Sequence, residues 1–257
     1  MDFKNKNRNQ EEKSQLIFGI RPLIEAANSG KEIEKVLIQV GLKGENFGEL
    51  KQLLNIKNIP VQYVPLEKLN RVTSKNHQGI IAFIAPIVFG DIEHIIPEVF
   101  EKGKQPFILI LDRITDVRNF GAVVRTAECA GVDAIVIPSR GSAQINADAL
   151  KTSAGALFKM PVCRVDNLKG TIDFLKESGL NIVACTEKTE QLYDRVDYTK
   201  PLAIIMGSEE DGISPEYLKR ADHKAKIPLM GTIGSLNVSV AAGVILFEAV
   251  RQRLKVV

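Results

Sequence analysis

The chain has 257 residues, 45% of them hydrophobic and 25% charged, with a formal net charge of +3. That balance describes an ordinary soluble globular protein with room for one large domain or two modest ones. It excludes a membrane-spanning chain, because no apolar run reaches transmembrane length, and it permits a nucleic-acid partner without arguing for one. The three cysteines, Cys129, Cys163 and Cys185, have no CxxC spacing and sit in apolar surroundings, so buried thiols in a reducing compartment are expected. The N-terminal segment lacks the apolar stretch of a signal peptide, which points to the cytoplasm.

In chain order, residues 1–14 are polar without an apolar period and are expected to form a flexible tail. Residues 15–90 predict a small α/β domain. A short strand and a helix come from LIFGIRPLIEAANSG, with Asn28 and Gly30 as the stop. Further strands are expected at Val36–Val40, Val61–Val64 and Gly79–Ala85, and helices around Gly48–Asn55 and Leu66–Val72. The loop before the last strand holds Lys75, Asn76, His77 and Gln78, groups that suit unpaired RNA bases and phosphates, or else a solvated turn. Residues 91–105 carry Pro97, Gly103 and many charges, and are read as a linker ending in a short helix. From residue 106 to 257 strand and helix alternate. FILILD, DAIVIP, NIVACT and PLAIIMG are continuous apolar runs of the kind a parallel sheet buries. The class is therefore α/β with a mostly parallel sheet, whose ligands bind at the carboxyl ends of the strands. The loops after Leu111, Thr186, Gly207 and Pro228 are expected there.

Three stretches carry chemistry. In DRITDVRNFGAVVRTAECAG, Asp112–Gly131, a strand ends at Asp112 and Asn119 stands where a helix N-cap would. Gly121 allows close backbone approach. Arg125 lies on a small, apolar helical segment, where it needs either a partner such as Glu128 or a phosphate ligand. In MGSEEDGIS, Met206–Ser214, Gly207 and Gly212 bracket Glu209, Glu210 and Asp211, as in a turn wrapped round a ligand or an ordinary acidic loop. In IPLMGTIGSLNVSVAAGVILFE, Ile227–Glu248, a loop with Gly231, Gly234, Ser235 and Asn237 leads into an apolar run read as a buried helix, capped by Ser235 or Asn237. The free N–H groups of that helix start suit polar or anionic ligand atoms. GxGxxG, GxxxxGK[ST] and GxSxG are all missing, and His77, His94 and His223 lie far apart without HxxxH spacing, so a metal site is not expected.

Together the three stretches resemble the SpoU (TrmH-type) family of RNA ribose 2′-O-methyltransferases, within the SPOUT superfamily of knotted methyltransferases. The family's first motif, roughly DxxxDPxNxGAxxRTA, stands here as DRITDVRNFGAVVRTA, with Val117 in place of the usual proline. The second resembles MGSEEDGIS and the third IPLMGTIGSLNVSVAAGVILFE. IFGIRPLIEA and NHQGIIA resemble the ribosomal-protein-like RNA-binding domain attached to the ribosomal RNA members, the RlmB-like enzymes.

The resemblance implies S-adenosylmethionine as methyl donor, a C-terminal deep trefoil knot and a homodimer. It places Gly207, Ile227 and Leu236 at the cofactor, with Thr186 and Met230 as lesser candidates. It gives Arg125 the catalytic role, with Asn119, Glu209, Ser235 and Asn237 around it and Glu209 bonded to Arg125, within the chain or across the dimer. A guanidinium is a poor literal base because it holds its proton. A phosphate clamp, with water or a phosphate oxygen taking the proton, is the preferred reading over an Arg125 made basic by a closed cationic site. The implied activity is 2′-O-methylation of RNA, most directly of a guanosine in 23S ribosomal RNA. The alternatives are transfer RNA as substrate, a catalytically silent ribosome-assembly factor, or a small-molecule enzyme that ignores RNA.

Overall fold

The structure, a computed structural model, describes residues 16–44 and 46–255. The expected tail, 1–14, lies outside them. The chain divides into two compact units, the first ending at Val88 and the second beginning at Phe89.

The first unit contains β1 (Leu16–Phe18), α1 (Ile20–Asn28), β2 (Ile33–Gln39), α2 (Phe47–Ile56), β3 (Val61–Val64), α3 (Leu66–Val72) and β4 (Ile80–Ile84). The sheet order is β1-β4-β2-β3, with β4 antiparallel to both neighbours and β3 parallel to β2. Alternating side chains divide between the two faces. Val36, Ile38, Ile80 and Ala82 pack under Leu23 and Ala27 of α1 and Leu50 and Leu54 of α2. Leu37, Val64 and Ile81 pack under Leu69 of α3.

The second unit contains α4 (Ile92–Glu101), β5 (Phe107–Leu111), α5 (Val117–Cys129), β6 (Ala134–Pro138), α6 (Ala147–Thr152), β7 (Val162–Val165), α7 (Leu168–Glu177), β8 (Asn181–Cys185), β9 (Leu202–Met206), α8 (Pro215–Leu218), β10 (His223–Ala225) and α9 (Val238–Arg253). Its six strands run in the order β10-β8-β9-β5-β6-β7, and every adjacent pair is parallel. All five residues of β5 and all five of β9 are buried, as central strands covered on both faces require. Because the strands are parallel, the loops after β5, β8, β9 and β10 all leave from one edge of the sheet.

Five differences from the sequence reading emerge. The segment 91–105 contains the expected short helix, and that helix, α4, packs on the second unit. Asp91 caps α4 by accepting from the Glu93 N–H at 2.9 Å, and Ile92 and Ile96 enter the core of the second unit. Two edge strands carry too little apolar signal to stand out: β7, reading VCRV, and β10, reading HKA, which takes the place of the Ile227–Pro228 segment. In α5 the cap is Asp116, which accepts from the Asn119 N–H at 2.7 Å. Asn119 is therefore the third helical residue, and Arg125 lies two turns in rather than one. Finally, α9 is not buried all round. Val240 and Phe247 are exposed, with Gly243 and Val244 half-buried between them on one stripe. Cys129 is likewise exposed, against the expectation of three buried thiols, while Cys163 is buried and Cys185 intermediate.

Gly121 serves packing. A Cβ there would lie 2.8 Å from the Cβ of Thr152 and 2.9 Å from the Ala149 carbonyl oxygen, so the close approach is of α5 to α6. Among the described residues no helix is long and apolar enough to cross a membrane.

Candidate functional site

The site grows from the loop after β9. Gly207 begins a tight hairpin in which the Ser208 and Gly212 backbones exchange hydrogen bonds at 3.2 and 3.0 Å. A Cβ on Gly207 would lie 2.2 Å from the Gly212 carbonyl carbon and 2.3 Å from the Ile213 nitrogen, so only glycine fits. Asp112, buried at the end of β5, anchors the far side by accepting from the Ser214 N–H and hydroxyl, each at 2.7 Å. Arg113 straps the hairpin from outside. It donates to Asp112 at 3.1 Å, to Asp211 at 3.0 Å and to the Gly212 carbonyl at 3.1 Å. The hydrogen bond to Asp112, more than any other interaction, holds its guanidinium above the ordinary arginine value.

That framework presents Glu209 to two other elements. One oxygen of its carboxylate accepts from Asn119 Nδ2 at 3.0 Å, Asn237 Nδ2 at 2.9 Å and the Val238 N–H at 3.3 Å. Asn237 Nδ2 also donates to Asn119 Oδ1 at 3.0 Å. Asn237 caps α9 with its own oxygen, accepting from the Ser239 N–H at 3.0 Å and the Ser239 hydroxyl at 2.6 Å. A carboxylate at the first N–H of a helix also meets the positive end of its dipole. Asn119, Glu209 and Asn237, from three separate stretches of sequence, thus form one hydrogen-bonded cluster.

The cluster stands between two cavities. One, of about 310 Å³, is lined by Thr186, Gly207, Ile227, Ser235 and Leu236, with Glu209 and Val238 at its wall. The other, of about 400 Å³, is lined by Arg113, Thr115 and Asn119 and shares Glu209 and Val238. From Ile227 to Leu236 no residue makes a backbone hydrogen bond to a described residue, so the first cavity is walled by uncommitted N–H and C=O groups beside apolar side chains. This is the lining expected for a small ligand with a polar edge.

Three expected residues fall elsewhere. Met230 is 97% exposed and does not line the cavity. Arg125 is exposed, lines neither cavity, and its side chain bonds to no described residue. Glu128 pairs instead with Lys159 at 3.9 Å, and Glu209 is engaged by the asparagines rather than by Arg125. His77 is buried in the first unit, where Nδ1 accepts from the Gly79 N–H at 3.1 Å and Nε2 meets Asn70 Oδ1 at 3.0 Å. A lone pair on Nδ1 leaves Nε2 as the donor, so His77 pins its turn and does not face a ligand. Lys75, Asn76 and Gln78 remain at the surface. Asp112, Arg113 and Ser214 went unnoticed in the sequence as a positioning set. The available signal was a carboxylate directly after an all-apolar strand, which needs partners when buried. Among the described residues no group of His, Cys, Asp and Glu is arranged to hold a metal.

A parallel α/β sheet with a cavity at its carboxyl edge is the layout of a ligand-binding enzyme. Residues 106–247 match the SpoU rRNA methylase family, and residues 16–88 match the family described as RNA 2′-O ribose methyltransferase substrate binding. A Staphylococcus saprophyticus protein assigned to the TrmH family of tRNA/rRNA methyltransferases is 37% identical over 238 residues, covering 93% of this chain and 96% of that protein. A crystal structure of an RNA 2′-O ribose methyltransferase is 27% identical with a TM-score of 0.56, covering 95% of this chain and 92% of that one. The SpoU methyltransferase AviRb from Streptomyces viridochromogenes, in complex with AdoMet, shares the fold at a TM-score of 0.59 and 23% identity, covering 93% and 90% of the two chains. The chain belongs to the SpoU, or TrmH-type, family of RNA methyltransferases.

Proposed function

We propose that the protein transfers a methyl group from S-adenosylmethionine to a ribose 2′-hydroxyl of RNA in the cytoplasm, with a guanosine of 23S ribosomal RNA as the target. The observation that carries this reading is the Asn119–Glu209–Asn237 cluster at the wall shared by two adjoining cavities. One cavity suits the cofactor and its neighbour a ribose. The uncommitted backbone of 227–236, the main chain at Gly207, and the side chains of Ile227 and Leu236 fit an adenosine held by main-chain groups and apolar contact. The cofactor supplies an electrophilic methyl on a sulfonium. The chain's own task is positioning and removal of the hydroxyl proton. Asn119 and Asn237, locked to Glu209, orient the ribose, and Ser235 lies in the adjoining wall. Arg125 serves as a fork for a substrate phosphate, with water or a phosphate oxygen receiving the proton.

The acting species is a homodimer. Val240, Gly243, Val244 and Phe247 line one stripe of α9, and Leu229, Ile233 and Leu236 also reach the surface nearby in sequence. A second copy covers this apolar surface, and Arg125, outside the cavities of its own chain, completes the site of its partner. The C-terminal part is a deep trefoil knot. In support, the segments at 186–188, 207–212 and 227–238 all contribute to one cavity.

The test is transfer of labelled methyl from S-adenosylmethionine to unmodified ribosomal RNA and, separately, to transfer RNA, followed by digestion to the modified nucleotide. Label as 2′-O-methylguanosine in ribosomal RNA is expected. Label in transfer RNA alone overturns the substrate, and label in neither, with cofactor bound, points to a silent assembly factor.

A further inference from the structure

The first unit presents a second feature beyond the loop that holds Lys75. Across three strands, Leu16 of β1, Phe83 of β4 and Lys35 of β2 stand side by side in register on the α3 face of the sheet. The next row on that face, Phe18, Ile81 and Leu37, lies closer to α3, whose Leu69 packs with Leu37, Val64 and Ile81. The helix is only seven residues long. Leu16, Phe18 and Phe83 pack against its cluster and stay partly exposed. Two cations lie on the rings. Lys35 Nζ is 4.7 Å from the Phe83 centroid, and Lys75 Nζ is 5.6 Å from that of Phe18.

We propose that this end of the sheet is a single-stranded RNA platform, where an unpaired base stacks at Phe83 and the flanking phosphates meet Lys35 and Lys68. Half-buried aromatic rings at a sheet face, each with an ammonium over it, match the two parts of a nucleotide once the lysine swings from ring to phosphate, since every base has a π-face and every nucleotide a negative charge. Lys68, on α3, is close enough for its charge to press on Lys35, whose pKa is lowered first by burial and then by Lys68, with Glu34 acting in the opposite sense. Counted over residues 16–88, the sequence holds nine Lys and Arg against six Asp and Glu, so the unit as a whole favours a polyanion. The inference rests on the RNA methyltransferase reading. It adds a sheet surface, adjoining the Lys75–Gln78 loop through Lys75, where the substrate strand would be held.

The test uses the full chain and a fluorescein-labelled single-stranded RNA of about 12 nucleotides, within the site sizes of single-strand binders. Anisotropy gives Kd at three salt concentrations. Replacing two phosphate contacts in Lys35→Gln/Lys68→Gln should reduce the slope of log affinity against log salt by about 1.4 and weaken binding. Phe83→Leu should weaken binding about tenfold with the slope unchanged. Lys51→Gln/Lys57→Gln removes the same charge from α2, on the opposite face, and should change neither. If the wild-type chain does not bind the oligonucleotide, or if the first two variants bind as the wild type does, the platform is overturned. A control pair that loses as much as the Lys35/Lys68 pair would reduce the effect to net charge and also overturn it. Melting curves identify a Phe83→Leu chain that fails to fold, in which case the lysine pair decides. Methyl transfer by the wild type to ribosomal RNA is run alongside. Its failure would sink the methyltransferase reading, while the binding data would still judge the platform.

Discussion

Gly207→Ala is the sharpest probe of how the site is built. The added carbon would sit 2.2 Å from the Gly212 carbonyl carbon, 2.3 Å from the Ile213 nitrogen and 2.5 Å from the Gly212 oxygen. Carbon atoms in van der Waals contact lie about 3.5–4.0 Å apart, so the overlap exceeds about 1 Å. All three neighbours are backbone, so no side chain can swing aside, and the strand of the hairpin holding Gly212 must move by roughly that amount. Overpacking of this kind costs about 1–3 kcal/mol, or roughly 2–12 °C in melting temperature for a unit of this size. The larger effect is on function. The hairpin carries Glu209, whose bonds to Asn119 and Asn237 span 3.0 and 2.9 Å, and a shift of about 1 Å removes them. A misplacement of about 1 Å is associated with losses near 100-fold in rate. Titration calorimetry with S-adenosylmethionine, with methyl transfer assayed in parallel, should show cofactor affinity down by more than about tenfold and turnover down by about 100-fold. A Gly207→Ala chain that binds and turns over as the wild type does would refute the claim that hairpin closure sets the site.

Arg125→Lys should lose most turnover while cofactor affinity and melting temperature stay within error, because the exposed guanidinium supports no described residue; unchanged methyl transfer removes it from the mechanism. Asn119→Ala should reduce turnover at least tenfold but cost only about 1 kcal/mol of stability, since its backbone N–H, not its side chain, takes the Asp116 cap; a large melting shift with normal specific activity would make it structural. Burial pushes the Cys163 and Cys185 thiols up to about 12; Cys163, which is fully buried, should not be alkylated by iodoacetamide at pH 8 until denaturant is added, and its rapid native labelling seen by mass spectrometry would contradict its placement. Glu248 is held below the usual carboxylate range, first by its hydrogen bond to Arg251. Its stabilising effect is therefore complete above the ordinary value of about 4.3 and fades as pH falls through the lower folded value. Glu248→Gln should melt earlier than wild type at pH 7 and converge with it in acid, and an offset independent of pH would argue against this.

What was legible in the sequence was what depends on continuous burial or on chain-local chemistry. The runs in β5 and β9 are apolar at every position because helices cover both faces, and Asn237 caps α9 because its side chain needs only the next residues to do so. What was not legible depends on competition or on distance. Asp116 and Asn119 are both good caps three residues apart, and only the folded loop decides that Asp116 takes the N–H and frees Asn119 for Glu209. Arg113 reads as one more surface charge until the fold brings Asp211 within 3.0 Å across 98 positions. His77 looked like a ligand because it sits among polar residues, yet Asn70, seven residues earlier, turns it inward. Met230 carries an apolar side chain like Ile227 and Leu236, which line the cavity, yet it is exposed, and nothing in the residue type separates the two outcomes.

Arg253 closes the last turn of α9 over Phe107, its guanidinium carbon 4.6 Å from the ring centroid. It donates to the carbonyls of Tyr198, Lys200, Gln105 and Pro106, at 2.9, 2.9, 3.1 and 3.2 Å. The first strand of the large sheet is thereby fastened by the end of the chain. In time rather than space, this means that a ribosome finishes β5 well before its fastening exists. At about 5–20 residues per second, the 146 residues from Phe107 to Arg253 take on the order of 7–30 s to make. Through that interval the apolar strand Phe107–Leu111 lacks β9, β6 and the arginine, while the first unit is already complete. The nascent protein therefore has its first unit, which matches the substrate-binding family, made many seconds before the large sheet and its cavity can close, so the two units come into being one after the other during translation.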